Sequence, residues 1–177
     1  MAAPGAALIE LVPKDELSPG GAATIRTQVA NALIAQAANE LRIPAERLVV
    51  RDIRPLGDLD YTYETWRERT GSTVEAYETM TTGTMADQRY VAIYGVKDDS
   101  PGRGCVSLIR LNIGGGDRAI WNLENLNGDG VGYSPSAVVI PPNAPYTISR
   151  WVVIAAQLAH IILKGVVVEP RGKLVSP

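Results

Sequence analysis

The chain has 177 residues, a formal net charge of −2 at pH 7 and a single histidine. This length suits one domain with a substantial core. Positive and negative charges nearly balance and no Lys/Arg cluster exceeds a pair, so we expect no nucleic-acid partner. The lone cysteine, Cys105, excludes an intramolecular disulfide framework and fits a reducing cytoplasm.

The sequence predicts neither a signal peptide nor a membrane span. No basic region precedes an apolar stretch near residue 1. The longest apolar run, Trp151 to Leu163, contains Gln157 and His160 and is shorter than the ~20 residues that a spanning helix needs.

We expect residues 1–21 to form an extended N-terminal arm, because prolines and glycines interrupt this segment. Leu8 to Val12 within the arm has the pattern of a short strand, which would join a sheet edge of this chain or of a neighbouring one. We expect residues 22–177 to form a single β-barrel domain that includes a helix over 22–42.

The helix is predicted because an apolar residue recurs at every fourth position, and Pro44 is expected to end it. These apolar residues are Ile25, Val29, Leu33, Ala37 and Leu41. The opposite face carries hardly any charge. It therefore predicts a helix packed over one end of the barrel or, alternatively, a helix covered on both sides, by the barrel and by a partner subunit or membrane surface.

Strand patterns follow at intervals of about 8 to 15 residues, which is typical of a β-sandwich or a closed barrel of about eight to nine strands. The predicted strands are 48–54, 60–67, 73–80, 90–96, 105–113, 119–123 and 136–140, with two more in 148–163. The segment 148–163 also fits a helix, but its β-branched residues favour two strands joined near Ala155 to Leu158. We expect Ser136 to Pro170 to supply the central strand pair.

No set of residues predicts catalysis, cofactor binding or metal binding. Apolar residues flank His160, so we expect it to be a hydrogen-bonded residue of the core or of an interface. We expect Cys105 to be a small buried residue. The segment Asn125 to Gly130 resembles the opening of a calcium loop, yet Ser136 stands where that loop needs a glutamate, so a plain turn is favoured. The glycines of 113–118 predict a flexible strand connection, since no helix follows them.

Acidic and aromatic residues leave alternatives open. Six carboxylates could supply a glycosidase pair, but their spacing selects no two of them. Strand tyrosines can line a sugar-binding face, a subunit interface or a core. The acidic residues are Glu64, Glu68, Glu75, Glu78, Asp98 and Asp99, and the aromatic ones are Tyr61, Tyr63, Trp66, Tyr77, Tyr90 and Tyr94.

The order of elements resembles one viral family. A proline-bounded arm, a helix over 22–42 and a β-barrel ending in ILKGVVVEPRGKL are similar to the small major capsid proteins of tailless, membrane-containing icosahedral viruses. This resemblance implies a single jelly-roll barrel that assembles into capsomers near an internal membrane. It carries no functional residues over to this chain.

The sequence hypothesis is therefore a structural virion protein, without enzymatic activity, that self-assembles or binds sister capsid subunits after synthesis in the host cytoplasm. The candidate subunit contacts are Leu8, Ile9, Leu11, Val12, Tyr61, Tyr63 and Trp66. The first alternative is a carbohydrate-binding β-sandwich that uses Tyr61, Tyr63 and Trp66. The second is a small hydrolase with a carboxylate pair.

Overall fold

The computed structural model describes residues 8–172 and builds them into two β-sheets and two α-helices. The strands are β1 (Leu8–Glu10), β2 (Val12–Pro13), β3 (Leu48–Asp52), β4 (Arg67–Arg69), β5 (Ala76–Thr84), β6 (Tyr90–Asp98), β7 (Val106–Ile113), β8 (Gly116–Asn122), β9 (Val131–Ile140), β10 (Pro145–Val152) and β11 (Leu158–Pro170). The helices are α1 (Gly21–Leu41) and α2 (Pro55–Leu59). The chain is thus mainly β, as the strand spacing predicted.

The strands divide into a five-stranded sheet, with the order β1-β8-β7-β10-β5, and a six-stranded sheet, in which five strands have the order β2-β9-β6-β11-β3. The sixth strand of this sheet, the short β4, lies off this order and pairs with the first residues of β11. The β1–β8 pair is parallel, and the other pairs are antiparallel. The prediction of a central pair in Ser136 to Pro170 was wrong. The strands β10 and β11 are both interior strands, but they lie in different sheets, and each lies next to an edge strand, β5 or β3.

The main core lies between the two sheets because alternate residues along each strand point inward. Ile109, Trp121, Ile148 and Ile161 are at most 1% exposed there. A second cluster lies on the outer face of the six-stranded sheet, where Val166 and other outward residues pack against α1.

Helix α1 covers this outer face. Its buried residues, Ala30, Leu33 and Ala37, pack over β6, β11 and β3. The expectation that the helix lies over one end of the barrel was therefore wrong. Between Leu8 and Gly172, none of the helices is both long enough and apolar enough to span a membrane.

The described part of the arm bridges both sheets. Leu8 to Glu10 pair with β8 in one sheet, and Val12 and Pro13 pair with β9 in the other. Leu11, at the crossing point, is 4% exposed and joins the core. Residues 1–7 of the predicted arm and 173–177 of the predicted barrel domain lie outside the described residues.

Two predicted strands were misplaced and the strand count was too low, since eleven strands lie within the described residues. The segment 60–67 forms bends, because Asp60 is in the left-handed region at the end of α2 and Tyr61 and Trp66 turn into the core. The strand predicted at 73–80 begins only at Ala76, after Glu75 with a φ of 53°. The two strands predicted in 148–163 correspond to parts of β10 and β11, and the turn at 153–157 joins them.

Candidate interaction surfaces

The proposed arm contacts have different environments. Leu8 is 53% exposed at the β1 edge, whereas Leu11 is buried in the core. Ile9 and Val12 are half-buried, and Ile9 packs against the main core. Of these four residues, only Leu8 presents most of its side chain to a partner.

The proposed aromatic contacts do not form one surface either. Tyr61 and Trp66 are 0% and 7% exposed and pack against each other with ring centroids 5.4 Å apart. Tyr63 is 49% exposed and touches Tyr61 edge-on. Its segment follows α2 near β5, at the opposite edge of the five-stranded sheet from Leu8. The prediction that these three rings form one sugar-binding surface was therefore wrong, because only the Tyr63 ring faces solvent.

A different surface, the outer face of the five-stranded sheet, brings apolar residues together. We call it the open sheet face. Cross-strand register places Leu108, Trp151 and Tyr77 in one row across β7, β10 and β5. In the next row, Leu8 lies beside Ile120. The long helix α1 packs on the other sheet, and Leu108, Tyr77 and Trp151 on this face are half-buried.

The open sheet face combines aromatic rings with charge. Tyr77 and Trp151 meet edge-to-face with centroids 5.0 Å apart. The guanidinium carbon of Arg110 lies 3.8 Å from the Tyr77 ring centroid, and Arg110 Nε lies 3.8 Å from Asp117 Oδ1. Burial raises the pKa of Tyr77; Arg110 opposes this rise and Asp117 adds to it. Tyr77 was among the candidate residues predicted from the sequence, whereas Trp151 was not, although strict alternation along β10 places it on the same face.

The outer edge of β9 is a second candidate surface. On this side β2 pairs only with Gly132 and Tyr133. Val138 to Ile140 pair with β6 through the opposite edge, after a break in register that follows Tyr133, and no described strand pairs with the outer edge of Ser136 to Ile140. Alternate backbone N–H and C=O groups of a strand point to each side, so this segment offers unpaired backbone groups to a partner.

A buried ionic cluster lies under α2. Asp58, with a fully buried side chain, accepts hydrogen bonds of 2.5 and 2.6 Å from Arg51 and one of 2.7 Å from the Arg54 N–H. Glu169 bridges Arg51 and Arg89 at 2.9 and 2.8 Å. Burial favours the protonated form of Asp58, but the Arg51 and Arg54 hydrogen bonds outweigh it and hold the pKa of Asp58 below its usual value. The cluster holds α2 against β3 and β11, which is a structural role.

A second buried cation, Arg150, neutralises two of the acidic residues considered as a glycosidase pair. Arg150 Nε lies 3.1 Å from Glu78 Oε2 and its Nη2 lies 3.5 Å from Glu68 Oε2. Burial acts to raise the pKa of Glu78, but hydrogen bonds from Arg150 and the Gly71 N–H lower it overall. The Glu78 carboxylate thus stays ionised beside a fixed positive charge, which does not suit a general acid.

The remaining sequence candidates lie apart from these surfaces. His160 is half-buried, with Nδ1 3.2 Å from Asp99 Oδ2, and Cys105 is fully buried. Asp129, in the segment like a calcium loop, accepts a hydrogen bond from the Val131 N–H and pairs with Lys14 at 2.7 Å, as in a plain turn. Within residues 8–172, His, Cys, Asp and Glu side chains form no group of three suited to a metal ion.

Comparison with known proteins adds no further assignment. Neither protein-family models nor curated protein sequences give a significant match to this chain.

Proposed function

We propose that this chain is a structural virion protein, a jelly-roll capsid subunit that binds copies of itself or sister subunits in an oligomeric shell. On this proposal it assembles in the host cytoplasm and resides in the virion, close to an internal membrane. The observation that carries the proposal is the order of the strands.

Eight strands, β3 and β5 to β11, support the jelly-roll connectivity. Numbered one to eight along the chain, they form the order one, eight, three, six in one sheet and two, seven, four, five in the other. Successive strands therefore alternate between the sheets except in the β7–β8 hairpin. This order corresponds to two interleaved Greek keys, the arrangement found in viral capsid proteins, lectins and cupins.

Two surface features favour the capsid role among these jelly-roll functions. The open sheet face presents Trp151, Tyr77 and Leu8 without a helix over them, and interfaces are enriched in aromatic residues of this kind. The outer edge of β9 leaves backbone groups ready for a neighbouring strand. Both features fit a subunit that completes its contacts in an assembly.

A carbohydrate-binding function is the second candidate, at a different place from the one predicted. The edge-to-face pair Tyr77 and Trp151, with Arg110 and Asp117 beside it, combines a sugar-stacking surface with hydrogen-bonding groups. Trp66 and Trp121 are buried, whereas Trp151 is half-exposed. Saturable quenching of tryptophan fluorescence by a glycan, lost in Trp151→Ala, would favour this candidate.

Light scattering across a range of protein concentrations tests the capsid proposal, followed by electron microscopy of the most concentrated sample. We expect a dimer or larger species whose mass grows with concentration. Trp151→Ser should shift this distribution to smaller species by removing an aromatic contact from the open sheet face. The matched control is Val74→Ser, since Val74 is also exposed, at 45%, but precedes β5 in a loop. A strict monomer at every concentration would contradict the proposal.

A further inference from the structure

A crevice opens on the outer face of the six-stranded sheet, at the point where α1 begins. We call it the α1 crevice, and it lies between Ala22 of the helix, Asp52 of β3 and Lys164 of β11. Its volume of about 360 Å³ falls toward the lower end of the ~300 to 1,000 Å³ that small-molecule sites occupy. The crevice is therefore large enough for a small ligand.

Tyr94 brings a polar group without a partner into the α1 crevice. The residue lies on β6 under α1, lines the crevice and is 6% exposed. Its hydroxyl has no hydrogen-bond partner among residues 8–172, yet its oxygen is not sealed from solvent. Burial raises the pKa of Tyr94, and Asp52 adds to this rise while Arg26 opposes it, so the hydroxyl lies near these two lining residues. Because buried hydroxyl groups normally have a partner, this one is available to a group in the crevice.

The beginning of α1 adds amide groups to the crevice. Gly20 is the N-cap residue and has no side chain that could accept hydrogen bonds from the first turn. The Gly21 and Thr24 N–H groups donate to nearby carbonyls. The N–H groups of Ala22 and Ala23, which line the crevice, have no acceptor among residues 8–172. Unpaired N–H groups in the first turn of a helix carry the positive end of the helix dipole and favour an anion.

The charged side chains of the crevice have the same preference. Both Nε and Nη2 of Arg26 lie 2.9 Å from Asp52 Oδ1, so these two residues compensate each other. Lys164 is half-buried and forms no ion pair with any residue between Leu8 and Gly172. Since the described lining holds no other charged side chain, one positive charge remains uncompensated.

Apolar and aromatic residues complete the lining. Trp66, which is 7% exposed, and Ile53 contribute to it. The rings of Tyr94 and Tyr133 lie side by side on β6 and β9, with centroids 6.3 Å apart and planes within 6° of parallel. Ile53 packs closely over Gly165, which fixes this part of the lining. Rigid aromatic rings of this kind suit the apolar body of a ligand.

We infer that the α1 crevice binds a small organic anion, a carboxylate or a phosphate monoester with a flat apolar body. The Lys164 ammonium and the amides of Ala22 and Ala23 hold the anionic group, and the Tyr94 hydroxyl donates a hydrogen bond to it. Trp66 packs against the apolar body. This inference does not depend on the proposed self-assembly, and its failure would leave that proposal unchanged.

Isothermal titration calorimetry with phenyl phosphate and with benzoate tests the inference on the unmutated chain. We expect at least one of these anions to bind saturably at millimolar concentration or below, and the tighter of the two identifies the anionic group. Phenol, which lacks the charge, and inorganic phosphate, which lacks the apolar body, should each bind at least ~10-fold more weakly. Equal binding of phenol or inorganic phosphate would overturn the inference, as would saturable binding of neither organic anion.

Two variants locate the site. Tyr94→Phe removes only a hydroxyl group, and Lys164→Met removes a charge while it keeps a long side chain. Each should weaken the binding of the tighter anion about tenfold, because each removes a hydrogen bond to a charged group. The matched control is Arg118→Met, since Arg118 is an exposed cation on β8 of the other sheet, and its affinity should not change. Unchanged affinity in the two crevice variants, or equal losses in all three, would overturn the inference.

Thermal unfolding separates a lost site from a damaged fold. Without ligand, Tyr94→Phe and Lys164→Met should unfold cooperatively, as the unmutated chain does. A ligand that binds only the folded chain raises its melting temperature. The tighter anion should therefore raise the melting temperature of the unmutated chain and of Arg118→Met, and raise that of Lys164→Met much less. An equal rise in all of them would place the binding outside the α1 crevice and overturn the inference.

Discussion

Arg150 and Glu78 face each other across β10 and β5, with Arg150 Nε 3.1 Å from Glu78 Oε2, and the Arg150 side chain is 1% exposed. Arg150 Nη2 also donates to the Arg69 carbonyl at 2.9 Å. One buried cation therefore connects two neighbouring strands with the segment that leads from α2 to β5.

Replacing Arg150 should destabilise the fold strongly. Arg150→Met keeps much of the side-chain volume but leaves Glu78 and Glu68 without their cation, and breaking a buried ion pair in this way costs about 3 kcal/mol. Urea unfolding followed by tryptophan fluorescence measures the change in the free energy of unfolding. The control is Arg110→Met on the open sheet face, where the loss of a half-exposed cation–π contact should cost less than about 1 kcal/mol. Similar losses for the two variants would refute the structural role of Arg150.

Asp58 should make the fold sensitive to acid. Its pKa is lowered in the folded chain, so the unfolded chain binds the proton more readily and the free energy of unfolding decreases as the pH is lowered. The contribution of the ionised carboxylate is complete above about pH 4, close to the usual pKa of an aspartate, and disappears as the pH drops through the lower pKa of the folded state. Asp58→Asn should lower the free energy of unfolding at pH 7 by about 3 kcal/mol and flatten its dependence below pH 4.

Urea midpoints measured between pH 2 and pH 7 check this prediction. Glu46→Gln changes an exposed residue in the 3-10 turn before β3; it serves as the control and should retain the acid sensitivity of the unmutated chain. An unchanged pH profile in Asp58→Asn would mean that other carboxylates cause the acid unfolding.

Gly165 should not tolerate a side chain. A Cβ atom there would lie 2.5 Å from the Ala92 carbonyl oxygen and still closer to Ile53, because β11 and β6 pass each other closely at this irregular point of their register. Gly165→Ala should therefore lower the melting temperature, with a loss of about 1 to 3 kcal/mol. Gly102→Ala is the control, since a Cβ there meets no atom within 4 Å, and its stability should change by less than about 0.5 kcal/mol. Calorimetry measures the melting temperatures of both variants. Equal melting temperatures would count against the close packing of β11 on β6.

Local sequence patterns were sufficient to predict the mainly β architecture. In 105–113 apolar and polar residues alternate, and 148–163 is rich in β-branched residues. Both patterns have a direct structural cause, because the inward side chains of these strands fill the core between the sheets. The same rules failed at 60–67. Alternating Tyr61 and Tyr63 resemble a strand, but the left-handed Asp60 and the burial of Trp66 depend on tertiary packing that local patterns do not contain.

The candidate surfaces could be predicted less well, since their members are distant in sequence. Leu8 and Ile120 become neighbours only through the parallel pairing of β1 with β8, and Tyr77 meets Trp151 only through the β5–β10 register. Asp58 and Glu169 share Arg51 and Arg89 for the same reason. The position of Ser136–Ile140 between two prolines was visible in the sequence, but its free edge depends on where β2 ends.

The way in which the arm bridges both sheets also constrains the order of folding. Glu10 and Asn122, which hydrogen-bond at the end of the β1–β8 pair, are separated by 112 residues. The arm precedes its pairing partners in the chain, so these partners leave the ribosome more than 100 residues after it. Contacts that close such long loops form slowly. Docking of the arm should therefore be among the last folding steps, and a nascent chain will have both sheets largely formed before the arm joins them.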